Sequence, residues 1–66
     1  MIPDIPQDRL LTSVEVCRIL SIRRLRLYEM LRRTEITSIR VGRLHRFLPS
    51  TITGYIRRQM GEEEGR

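Results

Sequence analysis

Residues 11–33 read LTSVEVCRILSIRRLRLYEMLRR, and the spacing of their apolar residues predicts two short helices separated by one or two residues. Thr12 and Glu15 form a capping-box pattern, in which a hydroxyl and a carboxylate satisfy backbone N–H groups at the start of a helix. The first helix is therefore predicted over about Ser13–Leu20. Its apolar contacts are expected from Val14, Val16, Cys17, Ile19 and Leu20.

The second helix is predicted to follow at once. Ser21 belongs to a residue type that caps helices well, so the helix should run from about Ile22 to Arg33. At the helical period its residues separate into two faces. One face carries Leu27, Tyr28, Met30 and Leu31, and the opposite face carries Leu25, Arg26, Glu29 and Arg33. Leu25 thus lies on the polar side, either as incidental exposure or as an apolar contact for a partner.

A hairpin pattern follows the second helix. Residues 39–41 and 44–48 alternate apolar and polar side chains on either side of Gly42 and Arg43. This arrangement is typical of an antiparallel hairpin with glycine at the first turn position. The strand register is left open by the sequence.

A third helix is predicted after the hairpin. Pro49 should end the second strand, Ser50 should cap a helix that extends to about Gln59, and Gly61 should end that helix. The predicted fold class is therefore α+β, with the order αα-ββ-α and a two-stranded antiparallel sheet.

The length of 66 residues indicates one small domain. A chain of this size buries only about 60% of its unfolded surface, so its core must be modest. Residues 1–9, with Pro3 and Pro6, predict an extended N-terminal arm. Residues 10–60 are predicted to form the folded domain, and residues 61–66 an acidic disordered tail.

Positive charge is concentrated in the predicted domain. The chain has a net charge of +5, and all thirteen of its cations are arginine. Residues 1–60 hold twelve of these arginines against five carboxylates, a difference of +7. Arginine favours bidentate contacts with phosphate and guanine, although a GC-rich genome would produce the same bias towards arginine.

Arg23 and Arg24 stand in the predicted first turn of the second helix, where the helix dipole favours anions rather than cations. A nearby phosphate or base edge would explain their placement.

Several classes of protein are disfavoured by what the sequence contains. Cys17 is the only cysteine, and His45 is the only histidine, so neither an intrachain disulfide nor a cysteine- or histidine-based metal site is expected. No catalytic residues, cofactor or small-molecule ligand are predicted. The sequence has no signal-peptide pattern and no apolar run of membrane-spanning length, so we expect a cytoplasmic, nucleoid-associated protein with no membrane partner.

These elements together resemble the excisionase-type winged helix-turn-helix domains, over about residues 10–58. The segments that carry the resemblance are LTSVEV (11–16), IRR (22–24), LYEMLRR (27–33), IRVGR (39–43), RFLPS (46–50) and YI (55–56). Their combination at these separations is the specific feature, since each piece alone is weak. The chain departs from the family where Ser21 and Thr34 stand at positions often held by glycine, Thr37 where proline is frequent, and His45 where tryptophan is frequent.

The resemblance implies that the second helix enters the major groove of DNA and that the hairpin is the wing, which touches the neighbouring minor groove or backbone. The implied helix contacts are Arg23, Arg24, Leu25, Arg26, Glu29 and Arg33, and the implied wing contacts are Arg40, Arg43 and Arg46. Arginine pairs with guanine, glutamate with the cytosine amino group, and an apolar side chain with the thymine methyl group.

Within DNA-binding roles we favour an excisionase, which bends attachment-site DNA, self-associates on it cooperatively, and directs a tyrosine integrase toward excision. A minimal phage or plasmid transcriptional regulator is the alternative. A protein-binding adaptor that uses Leu25, Tyr28 and the N-terminal arm is a rival from another class. An RNA-binding module is less favoured, because the aromatic residues are few and resemble core residues.

Overall fold

The computed structural model describes residues 4–61 as three helices and a three-stranded antiparallel sheet. The elements in chain order are β1 (Leu11–Thr12), α1 (Ser13–Leu20), α2 (Arg24–Arg32), β2 (Ile39–Val41), β3 (Leu44–Phe47) and α3 (Pro49–Gln59). The predicted α+β class is confirmed, but the predicted order αα-ββ-α is wrong, because a strand precedes α1. This strand has only two residues, which is too short for an alternating pattern to reveal it.

The sheet has the order β1-β3-β2, so the last strand lies in the middle. Leu11 lies opposite Phe47, and Thr12 lies opposite Arg46. On the other side of β3, Ile39 also lies opposite Arg46. The predicted two-residue hairpin turn is confirmed, because Val41 pairs with Leu44. Gly42 has a φ of 64°, the left-handed backbone that glycine adopts most easily.

The core lies between the helices and one face of the sheet. Its buried apolar residues are Ile5, Leu11, Val16, Leu27, Met30, Ile36, Phe47 and Ile52. Ile5 comes from the segment predicted as an arm and is only 6% exposed. Val14 was expected to supply apolar contacts but is 48% exposed, and Tyr28, on the face of α2 that carries Leu27 and Met30, is 43% exposed. Of the predicted acidic tail, residues 61–66, all but Gly61 lie outside the described residues.

The capping box at the start of α1 is confirmed. The Glu15 backbone N–H donates to Thr12 Oγ1 at 3.1 Å, and the Thr12 backbone N–H donates to Glu15 Oε1 at 2.9 Å. The carboxylate of Glu15 also accepts hydrogen bonds from the guanidinium of Arg9. The bonds from Arg9, followed by the backbone bond from Thr12, lower the pKa of Glu15 from 4.5 to about 2.

Helices α1 and α2 both end in a left-handed residue that is not glycine. Ser21 has a φ of 57°, and the following N–H, of Ile22, donates to the Cys17 carbonyl oxygen. Thr34 has a φ of 61°, and the following N–H, of Glu35, donates to the Met30 carbonyl oxygen. These are Schellman motifs, in which the left-handed position is usually glycine.

Two predicted helix starts are wrong. Ser21 ends α1 instead of capping α2, so α2 begins at Arg24 rather than Ile22, and its N-cap residue Arg23 makes no side-chain cap bond. Ser50 does not cap α3, because the helix begins one residue earlier. Proline suits a first helical position, where no N–H is needed. Gly61, with a φ of 83°, follows the end of α3 as predicted.

Between residues 4 and 61, none of the helices combines the length and the apolar character needed to span a bilayer.

The shifted pKa of Glu15 predicts a pH-dependent stability. Because its pKa is lower in the folded chain, ionised Glu15 stabilises the fold above about pH 4.5, and this contribution is lost as the pH falls toward 2. Thermal unfolding of the native chain and of Glu15→Gln should therefore differ at neutral pH and converge near pH 2. An equal difference in melting temperature at both pH values would contradict this assignment.

The left-handed backbone at Thr34 predicts a stabilising substitution. Thr34→Gly should raise the free energy of unfolding by roughly 0.5–1 kcal/mol, because relief of the left-handed strain exceeds the entropy cost of glycine. Urea unfolding is a suitable measurement. Thr37→Gly is the matched control, since Thr37 is also exposed but has no positive φ, and it should not stabilise the chain. Equal effects at the two positions would refute the explanation.

Candidate nucleic-acid interface

The exposed face of α2 presents an apolar side chain beside an ion pair. Leu25 is 77% exposed, and it follows the first residue of the helix. Arg26 Nη1 lies 3.3 Å from Glu29 Oε1, and both side chains are substantially exposed. Exposed pairs of this kind contribute little to stability, so both groups are available to other partners.

The remaining predicted helix residues lie at the two ends of α2. Arg23 and Arg24 are exposed at its start. Arg33 follows its last residue, and its Nη1 lies 3.9 Å from Glu35 Oε2. The structure therefore separates Arg33 from Arg23 and Arg24, whereas the family resemblance grouped all three as helix contacts.

The hairpin distributes its three arginines over different places. Arg43 is exposed in the turn. Arg40 pairs with His45, while Arg46 pairs with Ile39, so strand alternation directs Arg40 and Arg46 to opposite faces of the sheet. Arg46 is partly buried, and its Nη1 donates a 3.0 Å hydrogen bond to the His45 carbonyl oxygen. The three wing residues thus do not form a single surface.

A cleft of about 370 Å³ lies between the start of α1, the first turns of α2 and the hairpin; we call it the central cleft. Three of the predicted cations meet there, namely Arg24, Arg43 and Arg46. Tyr28 lines the same cleft, and so does Val14. Val14 was predicted to supply apolar contacts for α1, and Tyr28 was predicted on the face of α2 opposite Leu25 and Arg26. The sequence does not show that Val14 and Tyr28 line one cleft, because the cleft depends on how the hairpin packs against the helices.

No carboxylate of residues 4–61 forms an ion pair with an arginine of the central cleft. Within residues 4–61, the ion pairs are Arg9 with Glu15, Arg26 with Glu29, and Arg33 with Glu35. None of them includes an arginine of the central cleft. Three arginines from α2 and the hairpin therefore line one open space, an arrangement that attracts anions.

The described residues contain no group of three or more histidine, cysteine or carboxylate side chains that could hold a metal ion. His45 is held by a 2.8 Å hydrogen bond between its Nδ1 and Ser38 Oγ. Its ring therefore has a structural partner within the hairpin region.

Comparisons with protein-family models, with curated proteins and with solved structures returned no match to this chain.

Proposed function

We propose that this domain binds duplex DNA as a winged helix-turn-helix, with α2 in the major groove and the β2–β3 hairpin against the neighbouring backbone or minor groove. The observation that carries the proposal is the meeting of Arg24 from α2 with Arg43 and Arg46 from the hairpin in one cleft without carboxylate partners in residues 4–61. Duplex DNA is the polyanion whose grooves and backbone match a helix beside a hairpin.

The dimensions and chemistry of α2 suit the major groove. A helix with its side chains is about 10–12 Å in diameter, and the major groove is about 12 Å wide. Arg26 offers a guanidinium for guanine, Glu29 a carboxylate for the cytosine amino group, and Leu25 an apolar contact for a thymine methyl group. The high exposure of Leu25 favours this role, because the side chain has little protein contact to lose.

The backbone supports the resemblance to the excisionase-type family. Ser21 and Thr34 occupy positions where that family often has glycine, and both residues have positive φ values. A left-handed backbone is what glycine at those positions would favour. The turns after α1 and α2 therefore follow the family pattern in conformation, although not in residue type.

Within DNA-binding functions, we infer an excisionase that bends attachment-site DNA and directs a tyrosine integrase toward excision. A single module covers only about 600–1,000 Å² of interface, which limits its discrimination between sites. Several copies on adjacent repeats would supply that discrimination cooperatively. A transcriptional regulator of minimal size is the alternative, and the excision assay described below separates the two.

DNA binding should be strongly dependent on salt. If 5 to 7 phosphates are neutralised, log K should fall against log salt with a slope of about −4.5 to −6 on duplex DNA. Arg43→Gln should make the slope shallower by about 1. Arg58→Gln is the matched control, because Arg58 lines a separate cleft beside Glu35, and it should leave the slope unchanged. A slope shallower than about −2 for the native chain would refute the proposed DNA-binding surface and favour a protein-binding adaptor.

Binding should also bend DNA and change recombination. When the protein is titrated into an attachment-site DNA fragment, the electrophoretic mobility of the DNA should shift in cooperative steps. The mobility of the complex should depend on the helical phase of the site, as expected for bent DNA. A bend of 40–90° costs about 1–6 kcal/mol, which added protein contacts offset. Addition of the cognate integrase to a plasmid with both attachment junctions should then give excision that depends on this protein. A single shift on straight DNA, with excision unaffected, would instead favour the regulator.

A further inference from the structure

The central cleft combines more binding groups than a general electrostatic attraction requires. Arg24, Arg43 and Arg46 supply three guanidinium groups, and Tyr28 supplies a hydroxyl. Tyr28 is 43% exposed, so its ring is accessible to a ligand. Guanidinium groups and hydroxyls are the side chains that donate hydrogen bonds to phosphate oxygens.

The donor groups of the cleft are positioned by the fold. Arg46 lies in the central strand of the sheet, between Thr12 on one side and Ile39 on the other. One of its Nη atoms donates to the His45 carbonyl oxygen, which directs the guanidinium, and its other N–H groups remain as donors. A group held in this way loses little side-chain entropy when an anion binds.

The cleft also has apolar walls. Val14 at the start of α1 is 48% exposed, and Leu44 beside the hairpin turn is 54% exposed. A free inorganic phosphate would leave these side chains without contacts. A phosphate linked to sugar rings would place carbon atoms against them while its oxygens meet the guanidinium groups.

We propose that the central cleft binds one phosphodiester of the DNA backbone, with Arg24, Arg43 and Arg46 contacting its oxygens and the Tyr28 hydroxyl donating a hydrogen bond. This assignment rests on the proposed DNA-binding function and gives it a specific anchor. The bound strand passes between α2 and the hairpin, so one phosphate fixes the position of both elements. The contact carries no base information and therefore sets the register in which α2 meets the bases.

The test uses the complete chain and a duplex obtained by selection from a random pool. Affinity is measured for the native chain, Tyr28→Phe and Arg46→Gln, with Tyr55→Phe as the control because Tyr55 lines the separate cleft. Tyr28→Phe should weaken DNA binding about tenfold, because it removes a hydrogen bond to a charged phosphate. The slope of log K against log salt should not change, because the tyrosine hydroxyl carries no charge. Arg46→Gln should make the slope shallower by about 1. Tyr55→Phe should bind like the native chain.

A second arm locates the phosphate on the DNA. Each phosphate of the selected duplex is replaced in turn by an uncharged methylphosphonate. At one position the replacement should weaken the native chain about tenfold and weaken Tyr28→Phe clearly less, because the two changes remove the same contact. If no position shows this coupling and Tyr28→Phe binds the duplex as tightly as the native chain, the cleft assignment is overturned. The proposed DNA-binding function would still stand.

A third arm separates a backbone phosphate from a free one. Inorganic phosphate is titrated into the isotopically labelled chain while the amide signals of residues 12–14 and 43–46 are followed by NMR. The proposal expects duplex DNA to shift these signals at concentrations where inorganic phosphate does not. Signals that respond to inorganic phosphate, in a chain without affinity for any duplex, would overturn both the cleft assignment and the proposed function.

Discussion

The pairing of β1 with β3 is the constraint on which the rest of the structure depends. It places Leu11 opposite Phe47, and both side chains are completely buried. The next residue, Thr12, lies opposite Arg46 and also caps α1 through its hydroxyl. One short strand thus connects the start of the first helix directly to the hairpin. The orientation of the hairpin relative to the helices follows from these two residue pairs.

The central cleft is a consequence of this connection. Because β3 is held beside the start of α1, Arg43 and Arg46 of the hairpin line the same cleft as Arg24 of α2. Like charges brought together in this way repel one another and reduce the stability of the compact chain. Eight buried apolar residues offset that cost in the described part of the chain. A bound polyanion would remove the repulsion, so the same charges that weaken the isolated domain favour its complex.

How much of this could be predicted from the sequence depends on how local each signal is. The capping box needs only Thr12 and Glu15, three residues apart, and it was predicted correctly. Ser21 suits either a helix start or a turn, and the local sequence does not decide between them. Strand β1 is visible only through its partner, which is distant in sequence. The separation of Arg40 from Arg46 depends on strand register, which the alternating pattern leaves open. Contacts distant in sequence therefore account for most of the differences.

The position of β2 at the edge of the sheet has a consequence for aggregation. Its outer backbone groups have no strand partner within residues 4–61, and Ile39 and Val41 are exposed on it. An open edge with apolar side chains is a template for pairing with another chain. Arg40 stands between these two residues, where its charge opposes the approach of a second copy, and the strand is only three residues long. A short edge strand and a charged residue on it are features that protect natural sheets from edge-to-edge pairing.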